Sequence, residues 1–178
     1  MKKTATVPLL IFALLMVFGS CGKKEEDTPT LPRNYVKFAV HGTRFNGNYQ
    51  MEKKEYAGDV TISAVHFPEG SGDLVALGIL DFSQRIGFSL VAPASEKLTE
   101  IIQDNPFDFD LGLMFEEGEL EAKTVSLNMT SLNVDRESVV VKRLKGNFEG
   151  VAVYIFTEDG IKKEEAHTVK GEFEFNAL

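Results

Sequence analysis

Apolar and polar residues alternate along most of the chain from residue 34 onward. In Val36-Lys37-Phe38-Ala39-Val40 the apolar side chains share one face, as a half-buried strand requires. Segments with β-strand character recur at 60–67, 74–80, 86–91, 110–115 and 122–129. The residues between several of them are rich in Gly, Pro, Asp and Ser, which indicates turns. The pattern therefore predicts a series of short strands.

The C-terminal part has the clearest strand pattern. Gly146, Phe148 and Gly150 fall on one face of a segment that runs to residue 156, and glycines beside aromatic residues indicate a bend or a close approach of two backbones. Thr157-Glu158-Asp159-Gly160 predicts a tight turn. The last strand then places Gly171, Phe173 and Phe175 on one face.

One segment, 95–103, has helical spacing. Ser95 is a suitable N-cap, and Leu98, Ile101 and Ile102 would share a helix face, so we expect one short helix here or an irregular strand. The remaining segments predict an all-β domain. It would be an antiparallel sandwich or a barrel, and the pattern does not distinguish these two architectures. In a barrel, five aromatic residues would face the interior, with core packing as their first role: Phe38, Phe88, Phe148, Tyr154 and Phe173.

The N-terminus predicts export and lipidation. Lys2 and Lys3 precede an apolar run of about 12 residues, shorter than the roughly 20 that span a bilayer. Small residues then lead into Cys21, which resembles the acylated cysteine of a bacterial lipobox. We therefore expect residues 1–20 to be a signal peptide and Cys21 to carry the lipid, with a plain secretory peptide as the alternative.

Residues 21–33 form the expected tether, and 34–178 the expected single β domain. The tether contains a run of five charged residues and two prolines, a composition typical of disordered spacers. Its charged cluster resembles the export signal of Bacteroidota-type surface lipoproteins. The resemblance implies an outer-membrane protein exposed at the cell surface, with the periplasmic face as the alternative.

Charge excludes several partner classes. Removing residues 1–20 takes away two lysines and no acid, which leaves 17 basic against 27 acidic residues and a net charge of −10. Nucleic-acid binding requires clustered Lys and Arg, so none is expected. Attachment to a membrane would come from acyl chains on Cys21, since an acidic protein is not attracted to an anionic leaflet.

Two motifs in the C-terminal part add to the resemblance. They are Leu144-x-Gly146-x-Phe148 and, further on, Gly171-x-Phe173-x-Phe175. Together with the lipobox cysteine and the charged tether, these motifs resemble a group of uncharacterised Bacteroidota-type β-rich lipoproteins, in which a Gly-Thr/Asn-Phe strand pairs with a terminal Gly-Glu-Phe strand. The resemblance implies a cell-envelope location and a β fold. It transfers no activity, because a fold does not fix a function.

Few residues have the spacing of a chemical site. His41, His66 and His167 lack metal-ligand spacing, and a solvated side chain is expected for His41, which lies at a predicted turn. Asp104, Asp108 and Asp110 form a weak calcium candidate without the Asp-x-Asp-x-Asp-Gly loop. Four glutamates predict a charged hairpin edge that resists aggregation: Glu116, Glu117, Glu119 and Glu121.

No nucleophile motif or phosphate-binding loop is present, so we expect a non-catalytic binding or interaction module without a cofactor. The expected partners are a glycan, a small apolar ligand or another envelope protein. The alternative is a hydrolase that acts on a surface glycan through paired carboxylates. A structural subunit is a third hypothesis.

Overall fold

A computed structural model of the protein describes residues 33–54, 58–68, 72–103 and 109–177. These residues form ten strands and no helix. The strands are β1 Tyr35–His41, β2 Asn46–Glu52, β3 Val60–Phe67, β4 Leu74–Asp81, β5 Ile86–Pro93, β6 Leu98–Ile102, β7 Asp110–Phe115, β8 Gly118–Val134, β9 Val141–Glu158 and β10 Ile161–Asn176. The expected all-β class is confirmed.

All strands belong to one antiparallel sheet. Its order is β2-β1-β10-β9-β8-β7-β5-β4-β3, and β6 pairs with β8 outside this path. The sheet curls until β3 approaches the β8–β9 connection, where Val65 and Val140 form an isolated bridge. The amide of His66 also donates to the carbonyl of Val139 at 3.0 Å. The result is a nearly closed, barrel-like sheet.

The short helix considered for 95–103 is not formed. This segment contains β6, whose residues Leu98 to Ile102 pair with Asn128 to Thr124 of β8. Ile101 is buried while Leu98 and Ile102 are exposed, so only one of the three apolar side chains enters the core. A helix of two turns is marginal by itself, and backbone pairing with the long strand β8 replaces it.

The inner face of the sheet forms the core. Phe88 stacks on Phe148 with ring centroids 5.5 Å apart and lies 6.0 Å from Phe173. Phe38 is also buried. Tyr154 is partly buried and belongs to a second aromatic group, where it meets Phe45 edge-on. The five aromatic residues thus face the interior, and packing is their role.

Glycines allow β8, β9 and β10 to approach closely. Gly146 is the register partner of Phe173, and Gly171 is the partner of Phe148, so each ring lies over a glycine on the neighbouring strand. A Cβ at Gly146 would lie 2.7 Å from Phe173 Cζ, and one at Gly171 would lie 2.5 Å from Phe148 Cζ. The predicted close approach is confirmed.

Gly150 lies beside a register shift in β8 between Ala122 and Thr124. A Cβ there would collide with the carbonyl oxygen of Thr124 and lie 2.7 Å from Val125 Cα. Because both obstacles are backbone, they cannot move aside as a flexible side chain would. At Gly78, by contrast, Ser63 Oγ at 3.6 Å is the only atom of the described residues within 4 Å of an added Cβ.

This difference gives a paired prediction. Gly150→Ala should lower the free energy of unfolding by at least about 2 kcal/mol, because it forces the backbones of β8 and β9 apart. Gly78→Ala should leave it unchanged or raise it by up to about 1 kcal/mol, since alanine costs less backbone entropy than glycine. Denaturant titration of both variants measures the difference; equal effects would refute this account of the bulge.

Candidate functional site

The outward face of β3, β4 and β5 carries no charged side chain. Successive residues of a strand point to opposite sides, so the outward positions follow from the burial pattern. On β3 and β4 they are Thr61, Ser63, Val65, Phe67, Leu74, Ala76, Gly78 and Leu80. On β5 they are Gly87, Ser89, Val91 and Pro93. We call these twelve residues the charge-free face.

The outward side of β1, β8, β9 and β10 has the opposite character. Ion pairs cross it from strand to strand, at N–O distances between 2.7 and 3.4 Å. They are Lys37–Glu172, Lys145–Glu174, Lys170–Glu149 and Lys123–Glu164. Both partners are exposed in every pair except Lys145–Glu174; exposed pairs contribute little to stability, and they keep a sheet surface soluble. The charge-free face lacks this protection.

Exposed hydrophobic side chains gather on the same side. Nine large ones are exposed in the described part of the chain, and six of them lie on the charge-free face or at its margin. Val65, Phe67 and Leu80 belong to the face, with 37–40% of each residue exposed. Phe82 directly follows β4, and Val139 and Val140 lie in the connection that meets β3. A cluster of this kind marks an interaction site more often than scattered single residues do.

A furrow crosses the face at right angles to the strands. Ser63, Gly78, Ser89 and Gly112 are direct register partners on β3, β4, β5 and β7. One flanking row contains Val65, Ala76 and Val91. On the other side, the side chains of Leu80 and Met114 lie over Gly87. A Cβ added at Gly87 would be 2.8 Å from Leu80 Cδ2 and 2.7 Å from Met114 Cε. Among the residues that the structure describes, none covers the furrow at Gly78.

Glu119 ends the furrow. Its carboxylate lies over Gly112, where it would collide with an added Cβ. Burial raises the pKa of Glu119, and the charges of Glu121 and Asp110 raise it further. The expected charged hairpin edge is wrong, since β7 and β8 lie inside the sheet rather than at its edge. Glu119 instead marks the boundary between the charge-free and charged sides.

A buried histidine fixes the margin of the face. His66 is fully buried on the inner side of β3. Its Nδ1 lies 3.2 and 3.1 Å from the carbonyl oxygens of Asp135 and Ser138, and its Nε2 lies 3.0 Å from Asp73 Oδ1. Arg136 Nη1 reaches the other oxygen of Asp73 at 3.4 Å. His66 thereby ties the connection 135–140 to β3 and to the start of β4.

Both ring nitrogens of His66 face acceptors. A neutral imidazole has one N–H and would point a lone pair at an oxygen, whereas the imidazolium donates on both sides. The hydrogen bond to Asp73 raises the pKa of His66, burial opposes it, and the carbonyls of Ser138 and Asp135 add to the increase. The geometry therefore favours the charged ring.

The other histidines have separate roles. His41 is exposed at the end of β1, with its Nδ1 3.2 Å from Asn46 Oδ1. His167 is buried; its Nε2 accepts the amide of Phe45 at 3.2 Å, and its Nδ1 donates to the carbonyl of Glu165 at 3.0 Å. The expected solvated side chain is confirmed for His41, whereas His66 and His167 are buried. Their hydrogen-bond partners lie up to 122 residues away, so no local pattern identifies them.

The remaining sequence candidates are less informative. Cys21, Asp104 and Asp108 lie outside the described residues. Asp110 is exposed at the start of β7. Among the described residues, no cluster of three or more His, Cys, Asp or Glu could hold a metal ion. In the same ranges, no helix is long and apolar enough to cross a bilayer.

Comparison of the chain with protein-family models, curated proteins and solved structures found no match. The charge-free face was not predicted from the sequence, although a signal for it exists. The segments 60–67, 74–80 and 86–93 contain no Asp, Glu, Lys or Arg on either of their alternating faces, and their one titratable side chain, His66, points inward. A strand in contact with water on one side normally carries charge there.

The charged His66 makes stability depend on pH. Because the folded-state pKa is raised above the ordinary value of 6.5, its contribution is complete below that value and is lost as pH rises through the folded-state pKa. We predict that His66→Gln abolishes this alkaline loss, whereas His41→Gln keeps it. Unfolding free energies measured from pH 5.5 to 9 test this; parallel pH curves for wild type and His66→Gln would contradict it.

Proposed function

We propose that the chain is a lipid-anchored protein of the outer membrane that acts without catalysis, as a binding module at the cell surface. Two features support the two parts of the proposal. Cys21 and the charged tether support the anchor and the location. The charge-free face supports the binding role, and it is the observation on which this role depends.

The outer side of the sheet is not needed for the core. Apolar residues there gain nothing from folding and favour aggregation, unless another surface covers them. Charge is abundant on the outward side of β1, β9 and β10, as the Lys170–Glu149 and Lys37–Glu172 pairs illustrate. The lack of charge on β3–β5 is therefore a local property of this face, and covering by a partner explains it.

An apolar protein surface suits this face better than the other two expected partners. A glycan would need several hydrogen-bonding groups, and the face offers only the hydroxyls of Thr61, Ser63 and Ser89. A small apolar ligand would need an enclosed pocket, which buries most of its surface. The depression over Gly150 does not offer such a pocket, because it is open and lies on the charged side, beside Glu149 and Lys170.

The anchor predicts incorporation of labelled palmitate into the full-length chain. Cys21→Ala should abolish the label, because the chain contains no other cysteine to take its place. Lys2 and Lys3 stay intact in this variant, so it tests the acylation site rather than export. Label retained in Cys21→Ala, or absent from the wild type, would contradict the anchor.

The binding role predicts contacts from one side only. A photoreactive phenylalanine analogue at Phe67 should give covalent adducts with protein on intact cells, since Phe67 lies on the charge-free face. The same analogue at Asn147, an exposed position on the charged side, should give few. Equal yields from the two positions would overturn the assignment of the face, and turnover of a glycoside or ester substrate would overturn the non-catalytic role.

A further inference from the structure

The connection between β8 and β9, residues 135–140, is a turn with its own hydrogen bonds. The amide of Asp135 donates to the carbonyl of Val140 at 3.0 Å, and the amide of Ser138 donates to the carbonyl of Asp135 at 3.2 Å. The amide of Glu137 donates to Asp135 Oδ1 at 3.1 Å. Because these bonds lie within the connection, it keeps its shape without contact to β3.

The connection is attached to β3 around one residue. The amide of His66 donates to the carbonyl of Val139 at 3.0 Å, beside the isolated bridge that closes the sheet. The ring of His66 faces two further carbonyls of the connection, those of Asp135 and Ser138. We call this contact between β3 and the connection the seam. It closes the sheet, because β3 is the terminal strand of the sheet path.

Charged groups reach the ring of His66 from one side. In the described part of the chain, Asp73 faces Nε2 at 3.0 Å, and Arg136 pairs with the other oxygen of Asp73. The Asp135 carboxylate is turned to an amide within the connection. On β4 the register partner of His66 is Val75, which carries no charge. The ring thus lies between a carboxylate and two neutral carbonyls.

Loss of one proton leaves this ring a single N–H for acceptors on both sides. The Asp73 carboxylate is the stronger acceptor, since charge-assisted hydrogen bonds are roughly twice as strong as neutral ones. Asp73 is also fixed in place, because its carbonyl accepts the amide of Ala94 at 2.7 Å. The N–H therefore stays at Nε2. The lone pair of Nδ1 then faces the carbonyl oxygens of Asp135 and Ser138 and repels them.

We propose that His66 is a proton-operated latch, which holds the connection 135–140 on β3 when the ring is charged and releases it, opening the seam, when the ring is neutral. The opening is local, since β9 and β10 pair with each other over their whole length on the other side of the connection. This proposal concerns the fold itself and does not depend on the binding role.

The direction of the pH dependence follows from the environment of His66. The hydrogen bond to Asp73 raises the pKa of His66 above its ordinary value of 6.5, against the opposing effect of burial. The latch is therefore closed below pH 6.5 and opens as pH rises through the folded-state pKa.

Amide hydrogen exchange, resolved by NMR on the full-length chain, tests the latch. Protection factors remove the intrinsic effect of pH on exchange and report opening of each hydrogen bond. The protection factor of the His66 amide should fall at least about tenfold between pH 6 and 9, in step with titration of its own ring. At pH 9 it should lie at least about tenfold below that of the β9–β10 ladder and be insensitive to low denaturant, as local opening requires.

Three variants separate the latch from a general effect of pH. His66→Gln should remove the fall in protection at position 66, whereas His41→Gln should keep it. Asp73→Asn should move the fall to lower pH, because an amide oxygen favours the imidazolium less than a carboxylate does. Asparagine tolerates the left-handed backbone of this position, where φ is 51°. Thermal melts establish that the variants fold.

Several results would overturn the latch. One is constant protection of the His66 amide while its ring titrates, or a ring that does not titrate between pH 6 and 9. Another is equal protection of this amide and the β9–β10 ladder at pH 9, which would mean that the seam opens only by global unfolding. A fall of the same size in His66→Gln, or one that Asp73→Asn does not move, would also contradict it.

Discussion

A single sheet with no helix against it can bury an apolar face only by curling back on itself. The described part of this chain has ten strands and no helix, so its core is the inside of the curl. Close approach of β8, β9 and β10 makes the curvature possible. Phe148 and Phe173 lie over glycines of the neighbouring strand, where any larger residue would push the backbones apart.

In the described ranges the buried core lies inside the curl, so the outward side chains of the strands are not needed for it. Ion pairs cover the outside of β1 and β8–β10, as expected for a sheet in water. The outside of β3–β5 departs from this rule. The connection at its margin is held by buried His66, whose acceptor partners favour the charged form of the ring. His66 thus connects the interior of β3 to the position of Val139 and Val140 beside the face. A contact surface explains both features together.

Local patterns predicted most strands, because alternation and turn residues are local signals. The segment 60–67 was delimited by its flanking Pro and Gly residues and matches β3. The spacing of Leu98, Ile101 and Ile102 fits a helix face, and only the pairing with β8 decides for a strand. Closure of the sheet depends on the contact of Val65 with Val140, which are 75 positions apart, so no window of sequence contains it.

The candidate site was predictable in part. The lack of charge in three segments can be read from the sequence. Only the strand order shows that these segments are adjacent strands, because β5 pairs with β4 and β7, whereas β6 pairs with β8. The role of His66 could not be predicted, since it depends on backbone carbonyls about 70 residues away.

Spin labels at Ser63→Cys and Asn147→Cys, in the lipid-anchored chain on intact cells, test most directly whether a partner covers the charge-free face. Both positions are exposed and lie on outward sides of strands, and acylated Cys21 would not react with the label. The account predicts that a water-soluble relaxation agent reaches the label at 63 several-fold less than the label at 147. Equal access at the two positions would contradict it.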